Sequence, residues 1–232
     1  MTYKFKNILI IAAHPDDDIL GCGATINKLQ MLGSKISILF IGEGTSCRYE
    51  DIKNNKIKID KNIKIRNNFG IKSLNFLKVK NYKFLNLPCG RLDTIPILEI
   101  TKKIEEYITL IKPDTVFTHS NLDNHNDHQI VSRATMQATR PNVLNDVKNI
   151  LFYEVPSSSE WSFKDTFSPN YFVSISEKNL NAKIKAMNYY KTEIKKYPFP
   201  RSKEGLRTFA MYRGLQSGNK LAEAFKIIRI IN

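Results

Sequence analysis

Short apolar runs at 8–12, 36–41 and 115–118 alternate with segments whose apolar residues recur at helical spacing, 19–32 and 95–111. That rhythm predicts βαβ units, and hence a parallel sheet with helices on both faces. The 95–111 segment is the most regular. Ile97, Ile100, Ile104, Ile108 and Ile111 step by three and four, Glu99 stands four before Lys103, and Pro113 follows the end. The strand after it, 114–118, should be buried. Residues 51–70 carry two periods: Ile57/Ile59 and Ile63/Ile65 alternate like a strand, whereas Ile52, Ile59 and Ile63 share a helical face, and helix is favoured. A short strand is predicted at 152–155, a polar loop at 157–160 leading to Trp161, and helices at 177–193 and near 204–215. The expected fold is α/β, a single Rossmann-like three-layer domain with a mostly parallel sheet over 1–232, without internal repeat or linker.

Composition narrows the class. A chain of 232 residues with 42% hydrophobic and 25% charged residues can bury a core without staples, and argues against disorder and against a membrane span. Six apolar residues before His14 are too few for a signal-peptide core, so a cytoplasmic protein is expected. Cys22, Cys47 and Cys89 are odd in number and lack CxxC spacing, which fits a reducing compartment. Cys22, between two glycines, reads as a small buried thiol more readily than as a ligand. The formal charge is +14, and residues 51–85 hold ten Lys/Arg against Asp51 and Asp60. The same stretch is crowded with Asn and Ile and carries no nucleic-acid motif, so nucleic acid is not expected as a partner. An anionic small substrate suits the charge better.

The chemistry concentrates in two places. After the first strand, Ala13-His14-Pro15-Asp16-Asp17-Asp18 sets an imidazole beside three carboxylates, a costly crowding unless a cation or protons neutralise it. After the 114–118 strand comes His119-Ser120-Asn121-Leu122-Asp123-Asn124-His125-Asn126-Asp127-His128. In an open α/β sheet both segments fall at carboxyl ends of strands, where ligands collect. Hydrolytic zinc takes three ligands from His and carboxylate and leaves a position for water, and all four histidines of the chain lie in these segments. His119 by itself reads as an ordinary core or surface residue. One of His125 and His128 can bind metal while the other faces substrate, and Asp16 and Asp17 can divide the same two duties. Asp123 and Asp127 are candidates to hold imidazole tautomers, with loop solvation and helix capping as their plainer readings. Gly21-Cys22-Gly23 falls short of the dinucleotide-binding GxGxxG.

AHPDDD-IL-G-CGAT and the downstream HNDH resemble the LmbE/PIG-L family of zinc-dependent N-acetyl-sugar deacetylases, whose segments read AHPDDE, LGxGG and HxDH. The resemblance implies His14, Asp17 and His128 as zinc ligands, Asp16 as general base, and His125 as the group that stabilises or protonates the tetrahedral intermediate. Iron(II) stands as the alternative metal. FYEVPSSSEW at 152–161, KYPFPRS at 196–202 and AEAF at 222–225 resemble a branch acting on sugars of surface polysaccharides. Two positions depart from the pattern: Asp18 replaces Glu, and Cys22 interrupts the glycine pair. The implied substrate is a small N-acetyl sugar, anionic if nucleotide- or lipid-linked, with amide cleavage in a thiol conjugate as the alternative and a homo-oligomer left open. Arg66, Trp161 and Arg201 are the expected substrate contacts, ahead of Arg48 and Arg140, because a guanidinium offers a planar donor fork and an indole a stacking face.

Overall fold

The computed structural model describes residues 5–141 and 146–231, so the outermost residues of the expected 1–232 domain lie outside it. In chain order the elements are β1 (Asn7–Ala12), α1 (Asp17–Met31), β2 (Lys35–Gly42), α2 (Lys56–Phe76), β3 (Asn81–Leu87), α3 (Ile97–Ile111), β4 (Thr115–His119), α4 (Asn126–Ala138), β5 (Asn149–Tyr153), β6 (Tyr171–Ser174), α5 (Glu177–Met187), α6 (Lys203–Gln216) and β7 (Ala222–Arg229). The strands form one sheet in the order β3-β2-β1-β4-β5-β7-β6. β1 to β5 run parallel, and β7 is antiparallel to both β5 and β6. The chain therefore has the expected mixed α/β, three-layer architecture. No helix among the described residues is long and apolar enough to cross a membrane.

Alternation along the strands feeds two cores. Ile8, Ile10 and Ala12 of β1 pack with residues of α1, α2, α5 and α6, while Leu9, Ile11 and Ala13 pack with α3 and α4. Because both faces are covered, β1 is apolar at every position from Ile8 to Ala12 rather than at every second one. Strand order reverses between β1 and β4, which opens a crevice at their carboxyl ends. The two polar segments of the sequence lie there.

Several boundaries differ from expectation for local reasons. α1 begins two residues early, at Asp17, because the Asp16 carbonyl already accepts from the N–H groups of Ile19 and Leu20. The helix expected over 177–193 ends at Met187, and residues 188–194 turn back so that Glu193 enters the interior. β3, β6 and β7 were not anticipated: β3 interleaves Lys83 and two asparagines with apolar residues, and β6 spans only four residues. The favoured helix at 51–70 is α2, starting at Lys56, with Ile59, Arg66, Gly70, Ser73 and Leu74 on its buried face.

Gly21 and Gly23 let α1 approach its neighbours. A Cβ at Gly21 would overlap the Tyr153 ring, and one at Gly23 would lie 2.9 Å from Lys183 Cγ. Lys183 donates to the Leu20 carbonyl at 2.6 Å and to Glu223 at 2.6 Å, and Glu223 accepts from the N–H groups of Ala24 and Thr25. This buried ion pair ties α5 and β7 into α1. Gly21→Ala is expected to lower the unfolding free energy by about 1–3 kcal/mol through overpacking, measured as a lower urea midpoint at unchanged m-value.

Candidate metal centre and active site

β1 delivers His14 to the crevice, and a strained backbone turns the chain behind it. Asp16 has φ 134°, a conformation that costs an L residue about 1–3 kcal/mol. Asp16 is the last residue before α1. Ala13 N–H donates 2.7 Å to His119 Nε2, and the Tyr153 hydroxyl donates to the Ile11 carbonyl at 2.9 Å, so β4 and β5 fix the path of β1 into the site. His119 thus accepts a backbone proton on Nε2. Burial, reinforced by the charge of His128, holds its pKa well below the ordinary imidazole range.

Three donors converge. Asp17 Oδ2 lies 3.4 Å from His14 Nδ1 and 3.3 Å from His128 Nε2, and the three residues could hold a metal ion. A tetrahedral ion with bonds of about 2.0–2.1 Å requires donor separations of about 3.3–3.4 Å, so the spacing and the two-imidazole, one-carboxylate chemistry both fit zinc. The outward nitrogens each face a carboxylate. His14 Nε2 is 2.9 Å from Asp127 Oδ2, and His128 Nδ1 is 3.1 Å from Asp123 Oδ1. Asp127 is steadied by the N–H groups of Gly90 and Leu92, and Asp123 by Ser158, Ser159 and the N–H of His125. Both aspartates are fully buried and act on imidazoles, which overturns loop solvation for Asp123 and capping for Asp127.

The charges follow from this enclosure. Burial alone would depress His14, but the Asp127 and Asp17 carboxylates outweigh it and raise the pKa to about 9. His128 rises to about 10 against the same opposition, through Asp17 and Asp123. Asp17 is held well below the usual carboxylate range, its burial overcome by His128 and His14. Asp18, fully buried with no protein partner on either carboxylate oxygen, is pushed well above that range by burial and by Asp16.

Asp16 stands outside the three-donor set. Its Oδ1 is 2.9 Å from Arg66 and its Oδ2 3.3 Å from Arg201. Burial raises its pKa despite both guanidinium groups, with Asp17 and Glu193 adding repulsion. Glu193 bridges the cluster, accepting from Arg48 at 2.8 Å and Arg201 at 3.2 Å, and contacting Arg66 as well. Arg66 is only 4% exposed and is committed to Asp16, Glu193 and the Pro15 carbonyl, which corrects its expected role as a substrate contact. Arg201 also bonds Ser157 and keeps an open side.

His125 caps α4. Its Nδ1 accepts the Asp127 N–H at 3.2 Å, so the neutral ring carries its proton on Nε2. Burial and the charges of His128 and His14 lower its pKa to about 4. His125 borders an open cavity of about 310 Å³, together with Asn124, Asn126, Ser157, Ser158 and Trp161. Trp161 is 41% exposed and meets Phe199 edge-on. A larger groove beside Met31 and Phe76 holds no donor cluster.

Comparison with known proteins assigns the family. The family model for GlcNAc-PI de-N-acetylases, PIG-L, matches residues 9–139. The uncharacterized deacetylase YaiS of Escherichia coli K12 is 31% identical over 195 residues, covering 82% of this chain and 92% of its own. The chain belongs to the PIG-L family. It is accordingly a hydrolytic N-deacetylase. Diacetylchitobiose deacetylase of Thermococcus kodakarensis is 25% identical over 228 residues, 96% of this chain and 83% of that protein. The solved N,N'-diacetylchitobiose deacetylase of Pyrococcus horikoshii shares the fold, with TM-score 0.76, 24% identity and coverage of 97% and 84%.

Within this PIG-L site the structure brings together His14, Asp16, Asp17, Asp123, His125, Asp127 and His128. Trp161 and Arg201 lie at its mouth, whereas Arg140 follows the far end of α4 and Cys22 is in the core. Sequence reasoning missed Glu193 and also Glu43, whose carboxylate binds the N–H groups of Thr45, Ser46 and Cys89. No local pattern marks either one. Arg66 did carry a signal, since continuing the stripe Ile59–Ile63 by helical steps puts it on the buried face of α2.

The raised imidazoles give a signed expectation for the metal-free protein. Their contribution to stability is complete below the ordinary value near 6.5 and is lost as pH rises through about 9 and 10. The metal-free midpoint temperature should therefore fall as pH rises from about 6.5 to about 10, and zinc uptake at pH 7.5 should release about two protons per ion into a weakly buffered solution. Release of none would show the imidazoles already deprotonated.

Proposed function

We propose that this protein is a zinc-dependent hydrolase that removes acetyl from an N-acetylated amino sugar. The observation that carries the reading is the convergence of His14, Asp17 and His128 beside a carboxylate, Asp16, that is free of that set. The diacetylchitobiose deacetylases among its relatives support a sugar amide as substrate. Zinc held by the three donors supplies positive charge that polarises the amide carbonyl and acidifies the attacking water. Two neutral imidazoles and one carboxylate would leave the site with a net positive charge.

The chain's own groups do the rest. Asp16, its pKa raised by burial and its carboxylate oriented by Arg66 and Arg201, takes the proton of the attacking water. His125 donates its Nε2–H to the carbonyl oxygen as negative charge develops there. A neutral imidazole has no readily lost proton, so the leaving amine takes its proton from Asp16, which has just gained one. Asn124, Asn126, Ser157 and Ser158 offer hydrogen bonds to sugar hydroxyls, and Trp161 a face for the ring. The charge of +14 supports an anionic nucleotide or lipid carrier, in cytoplasmic assembly of a polysaccharide or glycoconjugate.

Acetate release over a panel of free, nucleotide-linked and lipid-linked N-acetyl sugars, with a thiol-conjugate amide included, tests the reading. Asp16→Asn should lose about 10²- to 10⁴-fold in kcat while bound zinc, counted by atomic absorption, stays at one per chain. Full activity in that variant, or acetate released only from the thiol conjugate, would sink the proposal. His125→Ala should lose about 10²- to 10³-fold in kcat with a much smaller change in KM. A loss confined to KM would assign His125 to binding alone.

A further inference from the structure

We infer that Cys47 and Cys89 form a reversible, peroxide-sensitive disulfide that adjusts the hydrogen bonding of the metal-site imidazole His14. The two Sγ atoms lie 3.0 Å apart, with Cys89 donating to Cys47, and Cys89 Sγ is 3.4 Å from His14 Nε2. Cys47 is exposed in the turn Ser46–Arg48, whereas Cys89 is buried after β3. One thiol can meet an oxidant while the other waits behind it. Their proximity is built in: the Glu43 carboxylate binds the N–H of Ser46 at 3.0 Å and that of Cys89 at 2.8 Å, holding both loops on one anchor. Gly90 allows the approach, since a Cβ there would lie 2.9 Å from Cys47 Cβ.

A second cation is the competing use of these thiols, because His14, Cys89 and Asp127 also cluster. Two thiolates on a tetrahedral zinc with bonds of about 2.3 Å would stand about 3.7–3.8 Å apart, well beyond the observed separation. Asp127 is already occupied, by His14 and by the N–H groups of Gly90 and Leu92. The arrangement therefore favours bond formation between the sulfurs.

The oxidant is a peroxide, ROOH. The Cys47 sulfur attacks one peroxide oxygen, the O–O bond breaks, and ROH leaves, with Cys47 now a sulfenic acid. The Cys89 sulfur then attacks that sulfur, the S–O bond breaks, and water leaves carrying the Cys89 proton. Two thiols are oxidised by two electrons and one peroxide is reduced. Closing the pair to a bond of about 2.05 Å draws the sulfurs together by nearly 1 Å. The segment that moves includes Cys89, beside His14, and Gly90, which bonds Asp127. Disturbing an outer partner of a metal-binding imidazole costs about 10-fold or more in activity or metal affinity.

Treating the zinc-loaded full chain with a small excess of hydrogen peroxide, then quenching and measuring intact mass, tests the chemistry. A loss of about 2 Da, a cross-linked peptide joining Cys47 to Cys89, and reversal by dithiothreitol are expected, with Cys22 remaining a free thiol. Cys47→Ser should show none of these changes, and its exposed position makes it a safe companion to the buried Cys89→Ser. Gains of one or more oxygens without a cross-link, or a cross-link involving Cys22, would overturn the inference. The second reading, acetate release, rests on the proposed deacetylation. It should fall about 10-fold on oxidation and recover on reduction, with Cys47→Ser unaffected by the same treatment. A cross-link without change in rate would refute the coupling to His14, whereas an enzyme inactive before oxidation would refute the deacetylation and leave the mass result to judge the thiols.

Discussion

One buried carboxylate oxygen, Asp17 Oδ2, organises the centre of this protein. It accepts the His14 N–H at 2.7 Å and stands within 3.6 Å of ring nitrogens from His14, His128 and His119, which arrive from β1, α4 and β4. An anion so enclosed is stable only among positive charge, either two imidazolium rings or a divalent ion. The raised pKa values of His14 and His128 are the metal-free solution to that demand. Asp123 and Asp127 complete it by fixing the rings from outside, so the same aspartates that stabilise imidazolium also aim neutral imidazoles at a metal.

A second charge network surrounds Asp16. Arg66, Arg201 and Arg48 meet Glu193, and the first two also grip Asp16. Such buried pairs gain little net stability over apolar packing, because desolvation cancels most of the attraction. Removing one member is a different matter, since it strands a buried charge. The network therefore acts by holding Asp16 in a strained backbone, next to the three-donor set but outside it. The Cys47–Cys89 pair reaches His14 separately, through Cys89 Sγ at 3.4 Å from its Nε2.

Much of the frame was legible locally. The apolar runs of β1, β2 and β4 and the stripe of α3 depend on periods of two and three to four residues, which are properties of neighbouring residues. The family resemblance singled out His14, Asp17 and His128, whose donor atoms the fold brings together. β7 was not, because AEAFKIIR takes its place from antiparallel pairing with β5 and β6, far along the chain. Arg66 was misread for a related reason. Its place on the buried stripe of α2 was legible, but its partners were not, and only the seat of α2 against Pro15 and Asp16 turns a guanidinium read as a substrate contact into an internal one.

The amino-acid order by itself determined the alternation of strand and helix and the two clusters of imidazole and carboxylate, since these are written in residues close together. Tertiary structure decided which nitrogen each histidine presents, that His125 is neutral, that Glu193 governs Asp16 from 177 positions away, and that Cys47 meets Cys89. Those outcomes depend on burial and on partners supplied by other elements of the sheet. Protonation and hydrogen-bond direction are properties of an enclosure, and an enclosure exists only once the chain has closed around it.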